Sequence, residues 1–241
     1  MKRIVLNIVF VLFSLTTFAQ VGKNYPTFDR KKFHFGFALG INTSDFNYRF
    51  NLDSSKVDTV VGIDIKRQPG FNLGIVSSWN INQVIHIRFI PSLSFQERLF
   101  TYSYKNPDYF KDIENEPRLL FRESRLESTT LDFPLMLKLK TKRIGNFAAY
   151  FLSGLQYSLD LATQSKVSPD LSNPIMKMKQ HDYSYQFGGG FDFYMEYFKF
   201  AIEIKLSNGL RDVNVYDGTF FNGPITDLRT KVWWFSITFE G

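Results

Sequence analysis

The sequence predicts an all-β fold, a single eight-stranded antiparallel β-barrel that crosses an outer membrane. Three observations predict it. Large apolar residues alternate with small or polar residues in eight stretches, long connections alternate with short ones, and aromatic residues make up 17% of the 241 residues. Strict alternation is typical of strands with two different faces, and aromatic girdles flank the lipid-facing wall of transmembrane barrels. The chain has no cysteine, which excludes disulfides, zinc–cysteine sites and thiol catalysis.

Residues 1–19 have the pattern of a secretory signal peptide. Two basic residues precede the apolar stretch Ile4–Phe13, and small residues follow it. This order is that of a cleaved signal, and the apolar stretch is too short for an ordinary membrane-spanning helix. We therefore expect residues 20–32 to form a periplasmic N-terminal segment and residues 33–241 to form the barrel domain. An uncleaved anchor helix is the alternative.

Each of the eight alternating stretches carries its large apolar residues on one face. They are Phe33–Ile41, Phe71–Trp79, Ile85–Phe95, Leu131–Leu139, Phe147–Leu159, Tyr183–Met195, Phe198–Leu206 and Trp233–Phe239. The connections that follow the odd-numbered stretches are long, at 43–69, 105–123, 161–182 and 207–228. The others are short. Long extracellular loops and short periplasmic turns have this layout in outer-membrane barrels, and an even strand number puts both termini in the periplasm.

The number of large apolar side chains decides which face points outward. Each stretch carries roughly five, about forty in all, whereas the interior of an eight-stranded barrel holds about a dozen side chains. The apolar face must therefore point outward, where only lipid can cover it. A soluble barrel with an apolar interior is the competing interpretation.

Two features disturb the alternation. Pro91 and Pro134 lie within predicted strands, although proline cannot donate a ladder hydrogen bond and a closed barrel has no edge to accommodate it. We expect a β-bulge or a broken ladder bond at each. Farther along the third stretch, Glu97 takes an outward position, while Phe100 and Tyr102 have the opposite parity. We expect the strand to leave the membrane there.

The inward face carries charged residues, namely Arg88, Asp132, Asp192, Glu196, Lys199, Glu203 and Lys205. Buried charges must be paired, so we predict a polar network in the barrel interior that contains Arg88, Asp132, Asp192, Glu203 and Lys205. Loss of Asp132 should then leave a buried cation without its partner. A channel lining is the alternative, but eight strands leave little room for a pore.

No catalytic, cofactor-binding or metal-binding residues are predicted. The three histidines, His34, His86 and His181, do not accompany a serine and an acid in a recognisable motif. The glycines at 188–190 lack the strand–helix context of a nucleotide site, and residues 212–218 lack the closing glutamate of a calcium loop. We expect no enzyme activity, no cofactor and no small-molecule substrate. Nucleic acid is also not expected for an exported protein, despite a pI near 9.3.

Charged residues suggest two contact regions. The first is a candidate partner loop that contains Lys111, Asp112, Glu114, Arg118 and Arg122. It could bind lipopolysaccharide or a protein, although long barrel loops are often simply hydrated. The second is basic, at residues 30–32 and 142–143, near the end predicted to be periplasmic. Outer-membrane lipids are expected partners because basic residues attract anionic headgroups.

Four segments resemble the outer-membrane β-barrel family of Bacteroidota that includes PorT, also called SprT. They are Leu131–Leu139, Phe151–Leu155, Gln186–Asp192 and Phe200–Val213, and the resemblance extends over nearly the whole mature chain. It implies a non-enzymatic component of the type IX protein secretion system, which exports sorting-domain proteins and supports gliding motility, acting with other envelope proteins. An OmpA-like structural or adhesive barrel is one alternative. A lipid-modifying barrel enzyme is another.

Overall fold

A computed structural model describes residues 23–50, 60–104, 121–162, 177–216 and 225–241. Over these ranges the chain forms one antiparallel sheet that closes into a ring. Its strands are β1 Phe33–Phe50, β2 Val60–Asn80, β3 Ile85–Phe89, β4 Ser92–Tyr104, β5 Phe121–Lys140, β6 Phe147–Asp160, β7 His181–Tyr194, β8 Lys199–Gly209 and β9 Ile225–Glu240. A short 3₁₀ turn, Phe28–Arg30, precedes them. No helix in the described ranges is long and apolar enough to cross a membrane.

The strand register shows how steeply the strands are tilted. Following paired residues once around the barrel from His34 leads back to β1 at Ser44, ten residues farther along the strand. The path passes through Ser78, Arg88, Met136, Gly154, Gln186, Ser207 and Val232. This stagger exceeds the strand number of eight, so the strands tilt more than the roughly 36° of a barrel whose stagger equals its strand number.

Strands β3 and β4 are two parts of one barrel strand, which confirms the prediction of eight. Both lie between β2 and β5, and both keep one register against β5. On the near side of the interruption Phe89 faces Leu135, and on the far side Ser92 faces Asp132. No residue is inserted between them, so the interruption is not a bulge.

The two prolines cause this interruption. The Ile90 N–H donates to the Pro134 carbonyl at 3.3 Å, and the Ile75 N–H donates to the Pro91 carbonyl at 3.0 Å. In each pair the reciprocal bond cannot form because proline has no N–H. The expected broken ladder bond is therefore present at both positions.

The connections alternate in length as predicted. At one end of the barrel, here the short-turn end, residues 81–84, 141–146 and 195–198 join neighbouring strands. At the other, the long-connection end, the strands are joined by 51–59, 105–120, 161–180 and 210–224. The expected loop 43–69 was too long, however, because β1 continues to Phe50 and β2 starts at Val60.

Large apolar side chains cover the outer wall over most of the barrel height. Phe35 is 63% exposed, Ile75 65% and Leu155 63%, whereas the inward neighbours Asn42 and Gln186 are buried. We call this apolar outer wall the membrane band. Its outward direction confirms the packing argument and excludes the soluble barrel with an apolar interior.

Beyond the membrane band, five strands continue as a collar at the long-connection end. The collar comprises residues 43–50, 60–67, 97–104, 121–129 and 225–232. Its outer wall is charged, with ion pairs between Asp45 and Arg67 at 2.8 Å and between Glu97 and Arg125 at 3.7 Å. The charged wall explains why the strands extend past the apolar stretches that predicted them.

The collar interior is an apolar core. It contains Phe46, Ile63, Phe100, Tyr102, Leu126, Ile225 and Leu228, completed by Met178 and Val213 from two connections. Phe100 and Tyr102 keep the inward parity of Gln96. The alternation of β4 therefore does not change here, and the strand continues to Tyr104. What changes is the chemistry of its two faces.

Candidate functional site

The candidate site is the barrel interior at the level of the membrane band. Seven buried charges alternate in sign there and form what we call the ion-pair chain: Lys205, Glu203, Arg88, Glu240, Lys199, Asp192 and Lys138. Their side chains are at most 10% exposed. The chain contains four cations and three carboxylates, so it carries one excess positive charge.

Arg88 lies at the centre of the ion-pair chain. Its Nη1 donates to Glu203, and its Nη2 lies 3.2 Å from Oε1 of Glu240. Lys205 lies beyond Glu203, with its Nζ 3.5 Å from Oε2. The guanidinium thus joins two carboxylates from different strands, which a lysine ammonium could not do with the same fixed geometry.

The other arm of the chain runs through Lys199. Its Nζ lies 2.8 Å from Oε2 of Glu240 and 3.8 Å from Oδ1 of Asp192. The Lys138 Nζ donates to both oxygens of Asp192 at 2.8 Å and lies 3.6 Å from the centre of the Tyr150 ring. Tyr150 fits because Gly190 has no side chain, since a Cβ there would lie 2.6 Å from the phenol oxygen.

The structure places the five predicted network residues inward and buried, but not in one cluster. Arg88, Asp192, Glu203 and Lys205 belong to the ion-pair chain. Asp132 instead accepts hydrogen bonds from neutral groups: Ser94 at 2.5 Å, Ser158 at 2.6 Å and Gln156 at 3.0 Å. No cation of the described ranges lies within 4.0 Å of it, so the expectation that its loss strands a buried cation is wrong.

Other charged positions were harder to assign from the sequence. Glu196 is exposed in the turn 195–198, because β7 already ends at Tyr194. Glu240, which was not among the predicted inward charges, is buried. Its inward direction could have been inferred from Thr238, which lies two residues earlier on β9 and so faces the same side. Lys138 lies on the face opposite the leucines of β5, and its partner is visible only once β5 and β7 are placed.

Above the ion-pair chain, Arg98 faces a small polar cavity of about 40 Å³. Its Nη2 donates to Gln96 at 2.7 Å and its Nη1 to Ser128 at 3.3 Å. Asp160 and Asp182 line the other side. The cavity lies between the ion-pair chain and the collar core, and its volume suits a few water molecules.

The segment before β1 fills the short-turn mouth, and we call residues 23–32 the plug. Phe28 is 2% exposed and stacks on the His34 ring with centroids 3.7 Å apart. Asp29 lies 2.8 Å from the Lys140 Nζ and 3.8 Å from Arg143. Burial raises the pKa of Asp29, but these two cations outweigh it and lower the pKa below its usual value. The predicted segment 20–32 is thus folded into the barrel mouth over its described part.

Two connections cross the long-connection mouth, and we call residues 177–180 with 210–216 the lid. Met178 pairs with Asn214, and the Lys179 N–H donates to the Val213 carbonyl at 2.8 Å. Asp212 accepts the N–H groups of Asn214 and Leu228 at 3.0 Å each. Burial raises the pKa of Asp212, but these hydrogen bonds outweigh it and lower the pKa below its usual value.

The three histidines lie in separate environments. His34, in β1, packs against Phe28 of the plug, and His86 contacts Asn80. His181 begins β7 on the outer wall, where its Nδ1 lies 2.8 Å from the Tyr157 hydroxyl. His181 was expected within a long loop. In the described part of the chain, no three His, Cys, Asp or Glu residues are placed to hold a metal ion.

The candidate partner loop lies largely outside the described residues, since this holds for Lys111, Asp112, Glu114 and Arg118. Arg122 is within β5, where its backbone pairs with Tyr102, and not in a loop. The proposed signal peptide, residues 1–19, also lies outside the described ranges.

Comparison with known proteins gives a family and a fold. Residues 18–214 match the family described as "Outer membrane protein beta-barrel domain". No curated protein matches the sequence significantly. Among solved structures, the chain is similar to the outer membrane protein OprG from Pseudomonas aeruginosa. The two are 12% identical with a TM-score of 0.50, and the alignment covers 92% of this chain and 98% of OprG.

Two further solved structures are similar at lower scores. Neisserial surface protein A is 10% identical with a TM-score of 0.43, and the alignment covers 86% of this chain and 95% of that one. Ail, the attachment invasion locus protein of Yersinia pestis, is 12% identical with a TM-score of 0.37, covering 88% and 100%. Likeness at these identities concerns the fold alone.

Proposed function

Since the chain belongs to the outer-membrane β-barrel domain family, we propose that it is a non-enzymatic barrel that acts through contacts with other envelope proteins. One observation carries this proposal: side chains occupy the described barrel interior at successive levels, with only a small cavity of about 40 Å³ between two of them. The plug, the ion-pair chain and the collar core succeed one another between the two mouths. An eight-stranded barrel packed in this way has no path for a protein substrate.

The envelope system we propose for it is type IX protein secretion. The four segments that resemble the PorT/SprT-like family of Bacteroidota support this assignment, and the filled interior favours an accessory or assembly role over a conduit. Deletion of the gene followed by secretome mass spectrometry tests the role. Sorting-domain proteins should disappear from the medium, and gliding should stop. Undiminished secretion in the deletion strain would refute it.

The charged collar favours a second candidate, an OmpA-like barrel that binds a partner outside the cell. Its wall carries Lys66, Arg67, Arg125 and Arg229, each beside a carboxylate, and it raises the long connections above the membrane band. A strain that secretes normally but loses adhesion or envelope integrity would support this candidate. Lipid A mass spectrometry of the same strain tests the lipid-modifying alternative, which requires a changed profile.

We propose that the short-turn end and both termini face the periplasm, as in other barrels with short periplasmic turns. The chain has no cysteine, so single cysteines can report the orientation. Asn47→Cys is at the long-connection end and Glu196→Cys at the short-turn end, and both residues are exposed. A membrane-impermeant maleimide should label only the first on intact cells and both after lysis. Labelling of Glu196→Cys alone on intact cells would reverse the orientation.

A further inference from the structure

A cationic pocket at the short-turn end is not used by the proposed function. It encloses about 240 Å³ between the plug, the β5–β6 turn and the β2–β3 turn. Its lining contains four cations and one carboxylate: Lys23, Lys140, Lys142, Arg143 and Asp29, together with Gln83.

Two of the four cations form the fixed wall of the pocket. Lys140 has a side chain 4% exposed, and its Nζ donates to Asp29 and to the Tyr194 hydroxyl at 2.8 Å each. Arg143 has a side chain 6% exposed, and its Nε donates to the Gly145 carbonyl at 2.8 Å. Both are held in place without any ligand, so the wall is preorganised.

The other two cations have no anionic partner in the described chain. Lys23 and Lys142 are exposed, and no described carboxylate lies within 4.0 Å of either ammonium group. Asp29 is already shared between Lys140 and Arg143. Two ammonium groups therefore face the pocket with their charge uncompensated, which favours an anionic ligand.

Two cations of the ion-pair chain lie behind the pocket. Lys138 and Lys199 flank Asp192 on the side of the plug. The Lys199 Nζ lies 4.7 Å from the centre of the Phe28 ring. Charges in such poorly hydrated surroundings are screened little by salt.

Exposed apolar residues lie in the two turns that contribute to the pocket, which indicates the kind of anion. Ile81 and Val84 are 51% and 42% exposed in the β2–β3 turn, and Ile144 is 80% exposed in the β5–β6 turn. A small anion in water gains nothing from such residues, whereas a lipid places its headgroup beside its acyl chains. We propose that this pocket binds the phosphate group of an anionic phospholipid, with Lys23 and Lys142 as its mobile contacts.

Native mass spectrometry of the purified barrel tests the proposal, with phosphatidylglycerol and phosphatidylcholine as probes. The test variant is Lys23→Gln/Lys142→Gln. The matched control is Arg30→Gln/Lys32→Gln, which removes the same charge from two exposed residues at the same end that do not line the pocket. The wild type and the control should retain phosphatidylglycerol in preference to phosphatidylcholine. The test variant should bind phosphatidylglycerol about thirtyfold more weakly, because each basic residue contributes about a fivefold factor beside an anionic lipid.

Three results would overturn the proposal. Equal retention of the two lipids would show no headgroup recognition. An equal loss in both double variants would show that overall surface charge attracts the lipid. Inorganic pyrophosphate binding to lipid-free protein as tightly as the lipid would assign the pocket to a soluble phosphate. Heat-modifiable migration in gels monitors folding, and Lys142→Gln alone, with about a fivefold loss expected, replaces the test variant if that does not fold. None of these results depends on the secretion assignment.

Discussion

Along β1, Ile41 faces outward and Asn42 inward, whereas a few residues later Asp45 faces outward and Phe46 inward. The same reversal separates the membrane band from the collar on β4, where Phe95 and Glu97 are successive outward residues. The backbone is a continuous strand through both regions. The difference therefore arises from what surrounds the wall and not from strand geometry.

The two regions are stabilised by different interactions. In the collar, water outside and apolar side chains inside make an ordinary core, which gains roughly 25 cal/mol for each Å² of apolar surface buried. In the membrane band, hydrocarbon covers the apolar side chains, and the interior depends on hydrogen bonds and ion pairs. The charges there must be paired, since a buried charge without its partner is costly in a medium of low dielectric constant.

The largest effect is expected from Arg88→Met in the membrane band. This change removes the cation between Glu203 and Glu240, and loss of one partner of a buried pair costs about 3–5 kcal/mol. Urea unfolding in lipid vesicles should show the loss. Arg88→Met combined with Glu203→Gln should recover part of it. A single variant as stable as the wild type would mean that the ion-pair chain is not needed for stability.

A comparable or slightly smaller effect is expected in the collar from Phe100→Ala. Phe100 is fully buried, and such truncations cost about 3–5 kcal/mol because a cavity remains. The matched change in the membrane band is Phe37→Ala, where the side chain is 51% exposed to the surroundings. It should lower the stability only by the free energy of transferring the side chain from water to an apolar medium, about 1.5–3 kcal/mol, because fluid lipid fills the space that the ring leaves. Equal losses at the two sites would contradict the difference between core and lipid contact.

The outer walls can be compared directly with one substitution on one strand. Phe37→Arg puts a charge at the middle of the membrane band and should cost about 2–4 kcal/mol. Asn47→Arg lies on the same face of β1 in the collar and is exposed, so it should change the stability by no more than about 0.5 kcal/mol. Unfolding titrations of both variants measure the difference. A similar cost at both positions would place residue 47 within the lipid.

The sequence predicted the strands and their sidedness because both follow from alternation along a single chain. The strand ends were predicted less well. In the collar the outward residues are polar and the inward residues apolar, so its sequence pattern resembles that of a loop or of a strand with a shifted register. Phe100 shows the difficulty: its inward position fits the parity of β4, but its chemistry fits only an interior already known to be apolar.

Partners across the barrel could not be predicted from local pattern. Arg88 and Glu203 were both expected to face inward, yet their contact depends on the stagger that brings β3 opposite β8. Asp132 was assigned a cation because buried carboxylates usually have one. Its actual partners, Ser94, Ser158 and Gln156, are polar residues that are common on any inward face, so they did not point to Asp132.

The smallest effect is expected in the pH dependence of stability, where the two mouths of the barrel can be compared. Asp29 in the plug and Asp212 in the lid both have a pKa lowered by their contacts. A carboxylate whose pKa is lowered by folding stabilises the protein fully at a pH above the pKa of the unfolded state, 3.8. This stabilisation is lost as the pH falls through the lower pKa of the folded state. Because Asp29 is partly exposed, its contribution should stay below about 1 kcal/mol.

The variant Asp29→Asn distinguishes the contribution of the plug to stability from that of the lid. At pH 7 it should lower the free energy of unfolding slightly, because Lys140 and Arg143 lose their carboxylate. The difference from the wild type should shrink as the pH falls below about 4, where the wild-type carboxylate is protonated too. The Asp29→Asn variant should still lose stability in acid, partly because Asp212 in the lid is protonated. Adding Asp212→Asn should make this loss of stability smaller. A difference that stays constant between pH 7 and pH 3 would show that Asp29 holds the plug through packing and not through its charge.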